Sequence, residues 1–220
     1  MNYTARIFHI ILLFLLYPSQ ILPAERSETP ETCTYTLGIW NTNAGKVTRT
    51  IRIEKRYSEI TDDERDRLGT GCTVCSEDQV RIELHGLDPF SVCHVIANKV
   101  EAGLNDLIVR GEPIFSVSGY RPVQSRGALN EDGERKEFSN HAFGTALDIN
   151  REQNGLYGNC HEWGPWCRLI QGGPWRPGKS EGSLTPGGAI VRKMKSLGFM
   201  WGGELQASQK DFMHFSLSGF

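Results

Sequence analysis

Polar and apolar residues alternate clearly in the first third of the chain. Val47, Arg49, Ile51 and Ile53 occupy odd positions, and Thr48, Thr50 and Arg52 occupy even ones. Apart from Arg49, this is the period-two pattern of a strand with one face turned inward. Thr34 to Trp40 precedes it across the turn-forming Asn41-Thr42-Asn43-Ala44-Gly45, so a β-hairpin is predicted over 34–55. Thr61-Asp62-Asp63-Glu64 has the form of a capping box and predicts a short helix. Val80, Ile82 and Leu84 alternate like another strand. Asp88-Pro89 combines an N-cap with a proline suited to the first helical position. The helix predicted from there runs to about Arg110, with Val92, Val95, Ile96, Val100, Leu104 and Leu107 on its inner face.

Further along, Ile114 to Ser118 reads as a strand and Gly119 to Pro122 as a turn. Residues 123–137 are polar and predict a surface loop. Residues 151–184, rich in Gly, Trp and Pro, predict a long excursion. Thr185-Pro186 starts a second helix that Gly198 stops, and Phe199 to Gly203 leads to a last strand, Phe212 to Leu217. Strands and helices interspersed in this way predict an α+β fold, an antiparallel sheet with helices packed on one side.

Composition narrows the function. Of the 220 residues, 24 are Lys or Arg and 26 are Asp or Glu, a formal net charge of −2. With 39% apolar residues the chain can build a core, which excludes wholesale disorder. The absence of a basic excess argues against nucleic acid as a partner.

The N-terminus changes the compartment. Arg6 is followed by a short apolar run, Ile7 to Tyr17, then Pro18 and a Leu22-Pro23-Ala24 ending. A spanning helix needs about 20 apolar residues, so 1–24 reads as a secretory signal. Export to a periplasmic or extracellular space, without stable membrane insertion after cleavage, is expected. The six cysteines, Cys33, Cys72, Cys75, Cys93, Cys160 and Cys167, then read as disulfides. Cys160 and Cys167 bracket a short loop and form the best local pair. The pairing of the other four is open, and Cys72-Thr73-Val74-Cys75 also has the form of a redox or zinc CxxC.

Two segments carry chemistry. In Thr145 to Asn150, Leu147 and Ile149 point one way and Asp148 the other. In the last strand, Met213, Phe215 and Leu217 share a face and His214 lies opposite. His141 precedes Gly144, whose bend brings the imidazole back towards Asp148. Two imidazoles and a carboxylate suit a zinc site with one open position for a water. Asp211 enters the same site if the chain bends before His214. Asp211 would then act as general base, and Arg121 as a cation for an oxyanion or a substrate carboxylate.

Ser118-Gly119-Tyr120-Arg121-Pro122, Ser139-Asn140-His141 through Asp148, and Asp211-Phe212-Met213-His214-Phe215 together resemble the three signatures of the D-alanyl-D-alanine carboxypeptidase metallopeptidases. That group includes VanY-type carboxypeptidases, VanX-type dipeptidases and phage L-alanyl-D-glutamate endolysins. It shares its zinc-peptidase fold with the hedgehog signalling domain. The resemblance covers about residues 90–220. It implies one zinc ion held by His141, Asp148 and His214, with Asp211 as base and Arg121 as the substrate or transition-state cation. Ser118, Tyr120, Ser139 and Trp201 are candidate substrate contacts. Trp201-Gly202-Gly203 and the Asp base are similar to the endolysin branch. Residues 33–85 and the Cys160–Cys167 segment have no counterpart in the family pattern.

The expected organisation is a signal peptide (1–24), a disulfide-containing extension (25–88) and a zinc peptidase core (89–220). The expected function is a monomeric, exported zinc peptidase hydrolysing peptidoglycan stem peptides, as a carboxypeptidase or an endopeptidase. The alternative is a non-catalytic zinc-containing domain that binds the cell wall or a protein.

Overall fold

The computed structural model describes residues 29–219, so the predicted signal segment lies outside the described residues. The hairpin forms from β1 (Thr32–Asn41) and β2 (Lys46–Arg56), with Ile53 opposite Tyr35 and Ile51 opposite Leu37. The capping box at Thr61 and Glu64 starts a single 3-10 turn, Asp62–Glu64. Next come β3 (Gln79–Ile82) and β4 (Phe90–Cys93), which pair antiparallel, and then α1 (His94–Val109).

The predicted helix therefore begins at His94, not at Pro89. Pairing with β3 draws Phe90–Cys93 into a strand and overrides the local proline signal. Val92 is buried from that strand, while Val95 is exposed; Ile96, Val100, Leu104 and Leu107 form the inner face of α1. β5 is Val117–Ser118.

The polar stretch 123–137 is no loop. It holds β6 (Val123–Leu129) and β7 (Arg135–Phe138), an antiparallel pair with two register shifts. Those shifts break the alternation that would have revealed it. β8 (Ala146–Ile149), β9 (Leu156–Gly158) and β10 (Arg168–Gln171) follow, then α2 (Ala189–Ser196), β11 (Met200–Trp201), β12 (Gln209–Asp211) and β13 (His214–Ser216).

The strands do not make one antiparallel sheet. They form four small sheets, ordered β2-β1-β6-β7, β10-β9-β12, β11-β13-β8-β5 and β3-β4. One pairing, β1 with β6, is parallel, with Gly38 beside Val123. Most strands are only a few residues long and cannot extend a continuous sheet. Both helices contact each other, and α1 passes so close to the end of α2 that a Cβ on Gly103 would lie 2.7 Å from Leu197. One apolar core runs through both halves, from Tyr35 and Val74 to Leu147 and Phe215.

Three disulfides join Cys33 to Cys75, Cys72 to Cys93 and Cys160 to Cys167. The Cys72–Cys75 motif is thus split between two bridges, which closes both the redox and the zinc reading of it. Three bridges and no free cysteine among the described residues point to an oxidising extracellular or periplasmic space. No helix among the described residues is long and apolar enough to cross a membrane.

Candidate metal centre

β8 places Asp148. Its neighbours Leu147 and Ile149 are fully buried in the core, so the pleat turns Asp148 to the other face. On β13, His214 stands directly opposite Asp148, and Ser118 of β5 stands opposite it on the other side. Paired residues of neighbouring strands share a face. The three side chains therefore project into the same space.

His141 reaches that space from a 3-10 turn, Asn140–Phe143, which Gly144 closes with φ of 66°. Only glycine fits there: the left-handed backbone disfavours a side chain, and a Cβ would lie 2.5 Å from the Cys93 nitrogen. The Gly119 carbonyl accepts the His141 Nδ1 proton at 2.9 Å, which leaves the Nε2 lone pair facing Asp148.

The three donor atoms form a near-equilateral triangle. His141 Nε2 is 3.1 Å from Asp148 Oδ1 and 3.0 Å from His214 Nδ1, and His214 Nδ1 is 3.0 Å from Asp148 Oδ1. A tetrahedral zinc ion with bonds of ~2.0–2.1 Å separates its ligands by about 3.3 Å. The triangle fits with a small outward adjustment, and N, O and N donors suit zinc chemically.

Electrostatics prepare the same outcome. Burial and the nearby Arg121 guanidinium lower His141 to about 4, so the imidazole is neutral and free to donate a lone pair. Burial alone would raise Asp148, but His141 and Arg121 outweigh it and hold the carboxylate charged. A charged carboxylate between two imidazoles could hold a cation.

Arg121 braces this site. Its Nη2 donates to Asp148 Oδ2 at 2.6 Å, and its Nη1 donates to the Gly119 carbonyl at 3.5 Å. The side chain is 43% exposed, so part of the guanidinium also faces outward. Its backbone N–H donates to the His141 carbonyl at 3.0 Å, tying the Arg121 turn to the His141 turn.

Asp211 ends β12, and the chain then crosses to β13 through a turn at Phe212 and Met213. That turn bends the chain between Asp211 and His214, and the Asp211 carboxyl feels the charges of both His214 and Asp148. Its Oδ1 is buried with no hydrogen-bond partner among the described residues. Burial pushes the carboxyl up to about 7 against the pull of His214, and the Asp148 charge adds to the rise.

Four other residues were expected at the substrate, and the structure treats them differently. Ser118 is exposed and accepts from Arg121 Nη1 at 3.5 Å. Ser139 begins the His141 turn, its N–H donating to the Val123 carbonyl. The Tyr120 hydroxyl donates to the Val74 carbonyl at 2.7 Å. Trp201 is buried, 2% exposed, with its Nε1 donating to the Phe212 carbonyl, and it lines a cavity together with Trp163, Trp175 and Phe212.

Sequence reasoning missed two supports. Gly119 contributes only a carbonyl, which no side-chain pattern reveals. Asn140 donates to Ser216 Oγ at 2.8 Å and to the Gly219 carbonyl at 2.6 Å, and accepts from Arg126 Nη1 at 2.9 Å. Its place inside the Ser139-Asn140-His141 motif was the available signal.

No curated protein and no solved structure matches the chain. Residues 132–217, the stretch holding His141, Asp148, Asp211 and His214, do match a family model, that of D-alanyl-D-alanine carboxypeptidase, the family whose signatures the sequence resembles.

Proposed function

We propose that this chain is an exported zinc peptidase that hydrolyses peptidoglycan stem peptides. The observation that carries the reading is the His141–Asp148–His214 triangle with Asp211, one of whose oxygens is buried without a hydrogen-bond partner, close by, inside the stretch that matches a peptidase family. The domain plan remains a signal peptide (1–24), an extension (25–88) and a peptidase core (89–220) with the hedgehog-type arrangement.

His141 Nε2, Asp148 Oδ1 and His214 Nδ1 would hold the ion. When bound, zinc supplies a water acidic enough to ionise near neutral pH. Asp211 would do the proton work: its carboxylate would accept a proton from the attacking water and return it to the amide nitrogen of the leaving group. Arg121 holds Asp148 in position with one nitrogen and offers its exposed side to a substrate carboxylate or the developing oxyanion.

The test is digestion of purified peptidoglycan by the zinc-loaded chain, with the new termini identified by mass spectrometry. Release of D-Ala marks a carboxypeptidase, and a new N-terminal D-Glu marks an endopeptidase. Binding to the wall without either product would replace this reading with a non-catalytic zinc domain.

A further inference from the structure

The loop closed by Cys160 and Cys167 plays no part in the metal centre, yet it presents two indoles to solvent. Trp163 is 46% exposed and Trp166 is 60% exposed. This loop is held: the disulfide closes it, the Cys167 N–H donates to the Gly164 carbonyl at 3.1 Å, and Trp166 Nε1 donates to the Glu162 carbonyl at 3.2 Å.

Trp163 stands on a built aromatic base. Trp175 stacks on Phe212 with centroids 3.8 Å apart and planes 6° from parallel. Trp163 meets both edge-on, 4.9 Å from Trp175 and 5.4 Å from Phe212. Beside it opens a cavity of about 300 Å³ lined by His161, Glu162, Trp163, Trp175, Gln206 and Lys210 among others. Lys210 and Phe212 flank Asp211 in the chain, so this cavity adjoins the strand that carries the proposed base.

The lining selects its ligand. One wall is aromatic and the rim is polar, which asks for a molecule with one apolar face and a hydrogen-bonding edge. Glu162 and Lys210 cancel in charge, and Lys210 Nζ is engaged by the Leu205 carbonyl. The lining as a whole therefore carries no net charge. A pyranose ring meets all these demands: its C–H face packs on an indole and its hydroxyls meet His161, Glu162 and Gln206.

We infer that the cavity walled by Trp163 and Trp175, beneath the Cys160–Cys167 loop, is a subsite for a neutral sugar ring. The sugar's source, the glycan to which stem peptides are attached, rests on the proposed function; the binding itself does not need the metal. A peptidase with this subsite holds the glycan while the peptide lies in the metal cleft.

The experiment titrates metal-stripped and zinc-loaded full chain with the N-acetylglucosamine tetramer, read by tryptophan fluorescence and equilibrium dialysis, with maltotetraose as comparison. Saturable binding of the acetylated tetramer at about 1 mM or tighter is expected in both forms. Trp163→Ala should weaken it about tenfold and Trp163→Phe less, since a smaller ring keeps part of the stack. Glu162→Gln with Gln206→Ala should weaken it about fivefold through the rim alone. Ile170→Ala, exposed on the same excursion outside the cavity lining, should change nothing. The inference is overturned if neither sugar saturates, if both rim and wall variants bind as wild type, or if a sugar-free stem peptide occupies the cavity instead. Peptide cleavage without sugar binding sinks only this inference, and sugar binding without cleavage sinks only the proposed function.

Discussion

Two carboxylates in this molecule are withdrawn from water and have opposite fates. Glu64, in the N-terminal region, accepts from the Tyr35 hydroxyl, from Lys55 Nζ, and from the Thr61 N–H and hydroxyl at 2.9 and 2.8 Å. Burial pushes it up, but those donors outweigh burial and bring it to about 2. Asp211, near the candidate metal centre, has one oxygen buried without a hydrogen-bond partner and is pushed up to about 7. The first region completes its own charges and is fixed by covalent bridges. The second assembles negative and lone-pair donors that their neighbours leave incompletely matched. A buried acceptor left unpaired costs on the order of 1–3 kcal/mol, and at Asp211 that cost is borne close to the charges of His214 and Asp148.

The largest expected effect breaks the second region at its donors. His214→Ala should remove most of the bound zinc, because three ligands leave no redundancy. Activity should fall by about 10⁴-fold or more, beyond what loss of a base alone gives. Metal analysis of a His141→Ala, His214→Ala double variant checks the ligand set: stoichiometric zinc there would exclude it. Asp211→Ala comes next. It should keep the zinc and lower kcat by about 10²–10⁴-fold. Equal loss of zinc and rate would make Asp211 a ligand rather than a base.

Removing a staple tests the first region. Cys72→Ala with Cys93→Ala opens a loop of sequence separation 21. About 2–4 kcal/mol should be lost, lowering Tm by roughly 5–15 °C in a domain of this size. The Cys160–Cys167 loop, with separation 7, should cost about 1 kcal/mol less. Calorimetry of both double variants ranks them. The reverse ranking would mean that the N-terminal region is not what the staples hold.

How much of this was legible beforehand follows the range of the interactions. Asp148 and His214 were readable because strand alternation is local: Leu147 and Ile149 fix the face of Asp148, and Phe215 that of His214. Gly144 was readable because a left-handed turn has a residue preference. The start of α1 was not, since Pro89 signals a helix locally while β3 and the Cys72–Cys93 bridge claim Phe90–Cys93 from outside. Residues 123–137 were not, because two register shifts hide the period of β6 and β7. The expected single sheet failed for a related reason: pairing between distant short strands is decided by tertiary contacts, not by the strands themselves. Arg121 was found by motif, yet its bond to Asp148 was visible only in space.

Glu64→Gln sharpens the comparison through pH. The native carboxyl sits at about 2, below its ordinary value of 4.5. Its stabilisation is therefore complete above pH 4.5 and is lost as pH falls through 2. A shift of this size corresponds to about 3 kcal/mol. At pH 7 the Gln variant should be less stable by about that amount, and the gap should close on acidification below the usual glutamate range. Denaturant midpoints across pH check it. A gap independent of pH would show that Glu64 contributes packing rather than charge.

The smallest expected effect asks whether the two regions are coupled. The Tyr120 hydroxyl donates to the Val74 carbonyl at 2.7 Å, and the Tyr120 N–H donates to the Ser91 carbonyl at 2.7 Å. Gly38 N–H reaches the Pro122 carbonyl at 2.8 Å, and Cys93 N–H reaches the Gly144 carbonyl at 3.0 Å. The stapled region thus grips both turns that present Arg121 and His141. Tyr120→Phe removes one of these bonds and leaves the ring. It should cost about 1 kcal/mol of stability, with zinc content unchanged. If Tyr120 positions Arg121, kcat/KM should also drop a few-fold, because small displacements of a charged group weaken transition-state contacts. Tyr120→Leu should drop it further. A stability loss with unaltered kcat and KM would confine the N-terminal region to holding the fold and leave the metal cleft to set its own geometry.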